Sequence, residues 1–203
     1  MLKNFIQILL LLIAACLASC QHQEKTKLKK TLDYYATGLI AFDANLKNHF
    51  PFEFESGEIQ DMSFVLPSIV KKGGCSVALL RIKTKPDKFN RISKEVRAKN
   101  ELIETLKSDN IITLPDSSDN SGLTSPIIIP DFSDLFDSVD DENSIDFKKR
   151  YDIYLIDTKN GNFTSHKQLK KKPYLPDGWE HGYSRGIGID ADNQGVIYWL
   201  IIW

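Results

Sequence analysis

Gly182-Tyr183-Ser184-Arg185-Gly186 has the spacing G-x-S-x-G, which at a sharp strand-to-helix turn presents a serine as an acyl-transfer nucleophile. That chemistry also needs an acid and a histidine later in the chain, and no histidine follows Ser184. A Pro, Gly and Trp stretch precedes the motif and strand-like sequence follows it, so the elbow is not expected to form. Cys75 is the other nucleophile. It opens the apolar run Cys75-Ser76-Val77-Ala78-Leu79-Leu80 without a close basic neighbour to stabilise a thiolate, so it is expected to be a buried thiol behaving as a small hydrophobe. Hydrolysis by Ser184 or Cys75 is therefore the weakest functional reading.

The four histidines, His22, His49, His166 and His181, show no His-x-x-x-His or Glu-x-x-His spacing, so no zinc site is built from sequence neighbours. Asp190-Ala191-Asp192-Asn193-Gln194-Gly195 starts like a calcium loop, yet its twelfth position is Ile201 where a bidentate Glu belongs. Asp, Asn and Gly are turn residues in their own right, and a polar hairpin turn is the expectation. No metal and no cofactor are implied. The most unusual local composition is Trp179 to Gly186, which sets Trp179, His181, Tyr183 and Arg185 among glycines. Such residues suit a recognition surface; Trp179 and Tyr183 could equally cover the core beside the last strand.

Elements must position these residues. Leu28, Leu32, Tyr35, Leu39 and Phe42 recur at helical spacing. Pro51 then halts the helix, and Phe50, Phe52 and Phe54 read as an extended segment or strand. Ser63 to Leu66 is a short extended candidate, Gly73-Gly74 a turn, and Cys75 to Ile82 a central strand. A helix is expected from about Pro86 to Lys107, capped by Thr84, with Phe89, Ile92, Val96, Ile103 and Leu106 as its buried stripe. Ile111 to Leu114 looks like the next strand. Residues 108–146 hold ten acidic side chains and no Lys or Arg, and they read as a surface insertion with one short amphipathic helix in 131–146.

The C-terminal part reads as sheet. Tyr151 to Asp157 is a strand, Asn160-Gly161 centres a hairpin turn, and Phe163 begins the return. Gly186 to Asp190 and Val196 to Trp203 are further strands, and the last is apolar on both faces, so it should lie centrally and be covered on each side. Helices early and strands late, without regular alternation, point to an α+β fold: N-terminal helices packed on a mostly antiparallel β-sheet. Residues 31–203 are expected to form one domain.

The first twenty residues hold Lys3, an apolar run from Phe5 to Ala15 broken only by Gln7, and then Leu17-Ala18-Ser19-Cys20. That is the layout of a secretory signal, shorter than the roughly 20 apolar residues a spanning helix needs. The tetrad resembles the lipobox of bacterial lipoproteins. The resemblance implies a signal peptide at 1–19, diacylglycerol on Cys20, a Lys-rich tether at 20–30, and a place in the cell envelope attached to a membrane through that lipid. It also implies the outer membrane in a Gram-negative host, since Gln21 stands where Asp commonly retains such proteins in the inner one. The tail resembles that of small lipoproteins, a likeness that implies no activity.

Basic and acidic side chains number 26 and 27. A chain so balanced is a poor partner for nucleic acid. The expectation is a non-enzymatic binding or interaction module facing an envelope or secreted protein partner. The alternative is an immunity-type inhibitor of a secreted toxin, with the acidic insertion imitating an acidic ligand.

Overall fold

A computed structural model describes residues 23, 25–68, 74–99, 101–102, 111–114, 126–130, 151–164 and 175–203. Helix α1 covers residues 25–40, followed by the single-turn α2 (Ala44–Lys47), β1 (Ile59–Val65), β2 (Ser76–Lys83) and α3 (Pro86–Lys99). Strands β3 (Glu101–Leu102), β4 (Ile111–Leu114), β5 (Ile127–Pro130), β6 (Asp152–Asn160), β7 (Gly182–Asp190) and β8 (Gly195–Ile202) complete the order. Six strands form one sheet in the order β1-β2-β8-β7-β6-β3, and every neighbouring pair in it is antiparallel. The α+β expectation holds.

The reason for a central β8 is visible in its alternation. Val196, Tyr198, Leu200 and Ile202 enter a core with Tyr35, Leu39, Phe42, Leu46, Phe89 and Val96 of the helical layer. Ile197, Trp199, Ile201 and Trp203 enter a second core with Ile112, Leu114, Ile128 and Ile129. A strand between two neighbours and two covered faces has no exposed position, and all eight residues of β8 are buried. The second face is covered by β4 and β5, which pair in parallel with each other. Ile127-Ile128-Ile129 between Pro126 and Pro130 thus makes part of the supposed insertion a core element, while 131–146 and the expected helix there lie outside the described residues.

Five expectations need correction. Helix α3 stops at Lys99, and Glu101-Leu102 pairs with Leu155 and Tyr154 of β6. Phe89, Ser93 and Val96 are the buried residues of α3, and past Lys99 the main chain takes hydrogen bonds from β6 in place of a further helical turn; Ile103 and Leu106 lie outside the described residues. Thr84 does not cap the helix. Its hydroxyl donates to the Lys85 carbonyl at 3.4 Å, and that same carbonyl accepts from Phe89 N at 2.9 Å.

The Asn160-Gly161 hairpin does not form either. Gly161, at φ +124°, donates its amide to the His181 carbonyl at 2.9 Å, and the strand that pairs with β6 is β7, with Asn160 opposite Gly182. Phe163 lies outside any strand and meets the Tyr183 ring edge to face at 4.4 Å between centroids. The Phe50 to Phe54 strand is absent as well, because the main chain there bonds to side chains. The Pro51 carbonyl accepts from Tyr35 Oη at 2.8 Å, and Glu55 N donates to Glu58 Oε2 at 2.7 Å. Helix α1, finally, reaches back through residues 25–30, the stretch expected to be tether.

Candidate functional site

Ser184 sits in the middle of β7, 0 % exposed, opposite Thr158 on one side and Ile201 on the other. Its Oγ has no hydrogen-bond partner among the described residues. The G-x-S-x-G spacing is therefore a strand alternation. Gly182, Ser184, Gly186 and Gly188 present their small side to the face that holds Trp199 and Trp203. A Cβ on Gly186 would lie 2.1 Å from the Trp199 ring and 2.4 Å from the Tyr154 carbonyl oxygen, and one on Gly182 would lie 2.5 Å from Trp203. Two indoles need a flat floor, and glycine provides it. Cys75, half-buried just ahead of β2, packs against this same core.

The four residues expected to recognise a partner separate accordingly. Tyr183, 3 % exposed, points into the helix-covered core and donates a short hydrogen bond to Asp157; burial first and that bond second push its hydroxyl up to about 12. Arg185, its side chain 14 % exposed, crosses to the helical layer. Its Nη1 donates to the Asn45 carbonyl at 2.6 Å, the Leu46 carbonyl at 3.2 Å and Asn48 Oδ1 at 2.7 Å, while Nη2 lies 3.7 Å from Asp157 Oδ2. A cation on the last carbonyls of a helical turn is favourable. The guanidinium fastens α2 to the sheet. Trp179 packs at the margin of the opposite core and its carbonyl accepts from Trp203 Nε1 at 2.8 Å, and His181 Nδ1 lies 3.3 Å from the Trp203 carbonyl. The four do not form one exposed patch.

His49 follows Arg185 into the same seam. Its Nε2 donates to the Trp199 carbonyl at 2.9 Å, and its ring lies 4.5 Å from that of Phe50. Burial, with a smaller contribution from the Arg185 guanidinium, lowers its pKa to about 4, although the Trp199 carbonyl acts the other way. Asp190 ends β7, buried at the hairpin. Its carboxylate accepts from Asn193 N at 3.1 Å and from Asn193 Nδ2 at 3.2 and 3.1 Å, so Asp190 to Gly195 is a turn organised by its own carboxylate.

A concave surface lies elsewhere, between residues 51–55 and α3. A groove of about 660 Å³ has Tyr198 and Ile92 among its lining, Phe52 and Phe54 along the loop side, and Glu53, Glu55, Lys88, Arg91 and Glu95 around them. Its rim is braced by ion pairs: Lys88 Nζ lies 2.6 Å from Glu58 Oε2, beneath the loop, and Lys85 Nζ lies 2.6 Å from Glu55 Oε2. The Lys85 ammonium holds the Glu55 carboxyl below its usual range. Burial first, then the Glu58 and Glu95 carboxylates, raise the Tyr198 hydroxyl far above its ordinary pKa, so it is a neutral hydrogen-bonding group. Phe52, 75 % exposed, stands at the edge. Three aromatic rings and five charged side chains line it, a mixed surface that suits a bound side chain flanked by charges.

The sequence reading missed this groove. Its signal was three phenylalanines at alternate positions, a spacing that also describes a strand, and bonds such as that from Tyr35 of α1 to Pro51 decide between the two. Among the described residues no group of His, Cys, Asp and Glu could hold a metal ion, and no helix is long and apolar enough to cross a membrane. Comparison with protein-family models, with curated proteins and with solved structures finds no match.

Proposed function

We propose that the chain is a lipid-anchored envelope lipoprotein whose α+β domain is a non-enzymatic interaction module, receiving a partner protein in the groove between residues 51–55 and α3. The observation that carries the reading is Phe52: a large aromatic side chain 75 % exposed at the mouth of a groove, the most exposed aromatic among the described residues. Exposed aromatics beside a cavity are the usual anchors of protein interfaces. Acidic Glu53, Glu55 and Glu95 and basic Lys88 and Arg91 around it fit a polypeptide that presents an apolar side chain flanked by charges of both signs.

The anchor rests on Leu17-Ala18-Ser19-Cys20. Intact mass spectrometry of the protein from host membranes tests it, beside a Cys20→Ser control. A mature chain starting at Cys20 with added acyl mass is the expected result. The non-enzymatic part is supported by the two nucleophiles, because Ser184 is fully buried in mid-strand between Gly182 and Gly186 and Cys75 packs on the core of that face. Serine-directed and thiol-directed probes on folded protein are expected to leave Ser184 unlabelled and Cys75 at most slowly labelled; fast stoichiometric labelling of either would revive hydrolysis.

A further inference from the structure

We infer that the solvent side of α1 docks on an anionic lipid bilayer, the one to which Cys20 would be attached; the inference rests on that anchor. Lys25, Lys27, Lys29 and Lys30 are all exposed on the first turns of α1, and Asp33 is the one acidic residue between 25 and 40. The same helix carries Tyr34, 54 % exposed, and Ile40, 77 % exposed, while Tyr35 and Leu39 face the core. These two and Phe52 are the large hydrophobics left exposed among the described residues, so two of the three lie on the lysine-bearing helix. Tyr34 touches Phe64 edge to face at 5.7 Å between centroids, but its exposed half and the Ile40 side chain face solvent. A bilayer interface gives them a use, with the long lysine stems reaching phosphate.

The leash argues for the same occupant. Four residues lie between Cys20 and Lys25, and the five steps from one to the other reach at most about 18 Å fully extended. Acyl chains on Cys20 would therefore keep the start of α1 close to the headgroups in any orientation. Across its 16 residues α1 extends about 24 Å, so Ile40 meets the surface only when the helix lies along it. Basic clusters of four or more lysines next to a membrane anchor are held by anionic headgroups, each lysine contributing severalfold to partitioning. An acidic loop or an uncharged tether at this place would give no such attraction.

Residues 21–203, free of signal and lipid, contain every described element and suit the test. Co-sedimentation would compare vesicles of phosphatidylglycerol with phosphatidylethanolamine against vesicles of phosphatidylcholine alone. Preference for the anionic vesicles is expected, weakening with salt. Changing all four lysines to Gln should lower it roughly a hundredfold at an unchanged melting temperature, since these side chains are exposed; Ile40→Ser should lower it severalfold. Equal partitioning to both vesicles, retention in the Gln variant, or equally tight binding to soluble heparin would overturn the docking. The anchor is read separately: acylated Cys20 without anionic preference overturns docking alone, and an unmodified Cys20 overturns the anchor and with it this geometry.

Discussion

Two aromatic segments exchange the roles their compositions suggest. Residues 179–186 combine Trp, His, Tyr and Arg among glycines, as recognition loops do, yet from Gly182 onward they form a strand hydrogen-bonded on both edges and covered on both faces. Residues 50–54 alternate Phe as a strand does, yet they bond through the main chain to Tyr35 of α1 and Lys88 of α3 and leave Phe52 in solvent. The difference teaches that neighbours, more than composition, decide whether an aromatic is core or contact. Tyr183 has β6 and β8 beside it; Phe52 has an open groove.

The largest effect should come from the buried segment. Trp199→Ala empties the space over Gly186 and should cost about 4 kcal/mol of unfolding free energy, and Gly186→Ala, which drives a Cβ into that ring and into the Tyr154 carbonyl, about 3 kcal/mol; chemical denaturation measures both. If either variant were as stable as the parent, 182–186 would not be packed as described.

His49 should give an effect of similar size that appears only with pH. The unfolded chain takes up a proton near pH 6.5, whereas folded His49 stays neutral down to about 4. Stability from this group is therefore full above pH 6.5 and declines by about 3 kcal/mol as pH falls toward 4. Urea unfolding at pH 7 and pH 4 reads it, and His49→Gln, which keeps a donor for the Trp199 carbonyl, should flatten that part of the profile.

Arg185→Met should come next, about 2 kcal/mol, through loss of charge-assisted bonds to the carbonyls of α2. Hydrogen exchange should quicken in residues 44–50 ahead of the sheet. An unaltered α2 would mean that the guanidinium is not what fastens it.

Much of the frame was legible where one local signal had one solution. β8 announced its central place by being apolar at every position, α3 its start by Pro86, and the last hairpin its turn by Asp192-Asn193-Gln194-Gly195. The first half of β7 was not, since Gly and Ser at alternate positions look like loop until Trp199 and Trp203 are known to lie over them. Likewise Ile127-Ile128-Ile129 is core only because the sheet has a second face to cover. The groove was least legible, being made of residues from α3, β8 and a loop far apart in sequence.

Phe52→Ser tests the central claim most directly. The full-length protein and the variant would be crosslinked in the native host and any captured partner identified by mass spectrometry, beside thermal melts of both. The account expects a stability change within about 0.5 kcal/mol, as for an exposed side chain, together with loss of one discrete crosslinked partner that the parent retains. Undiminished capture by the Ser variant would contradict it and return recognition to another surface of the molecule.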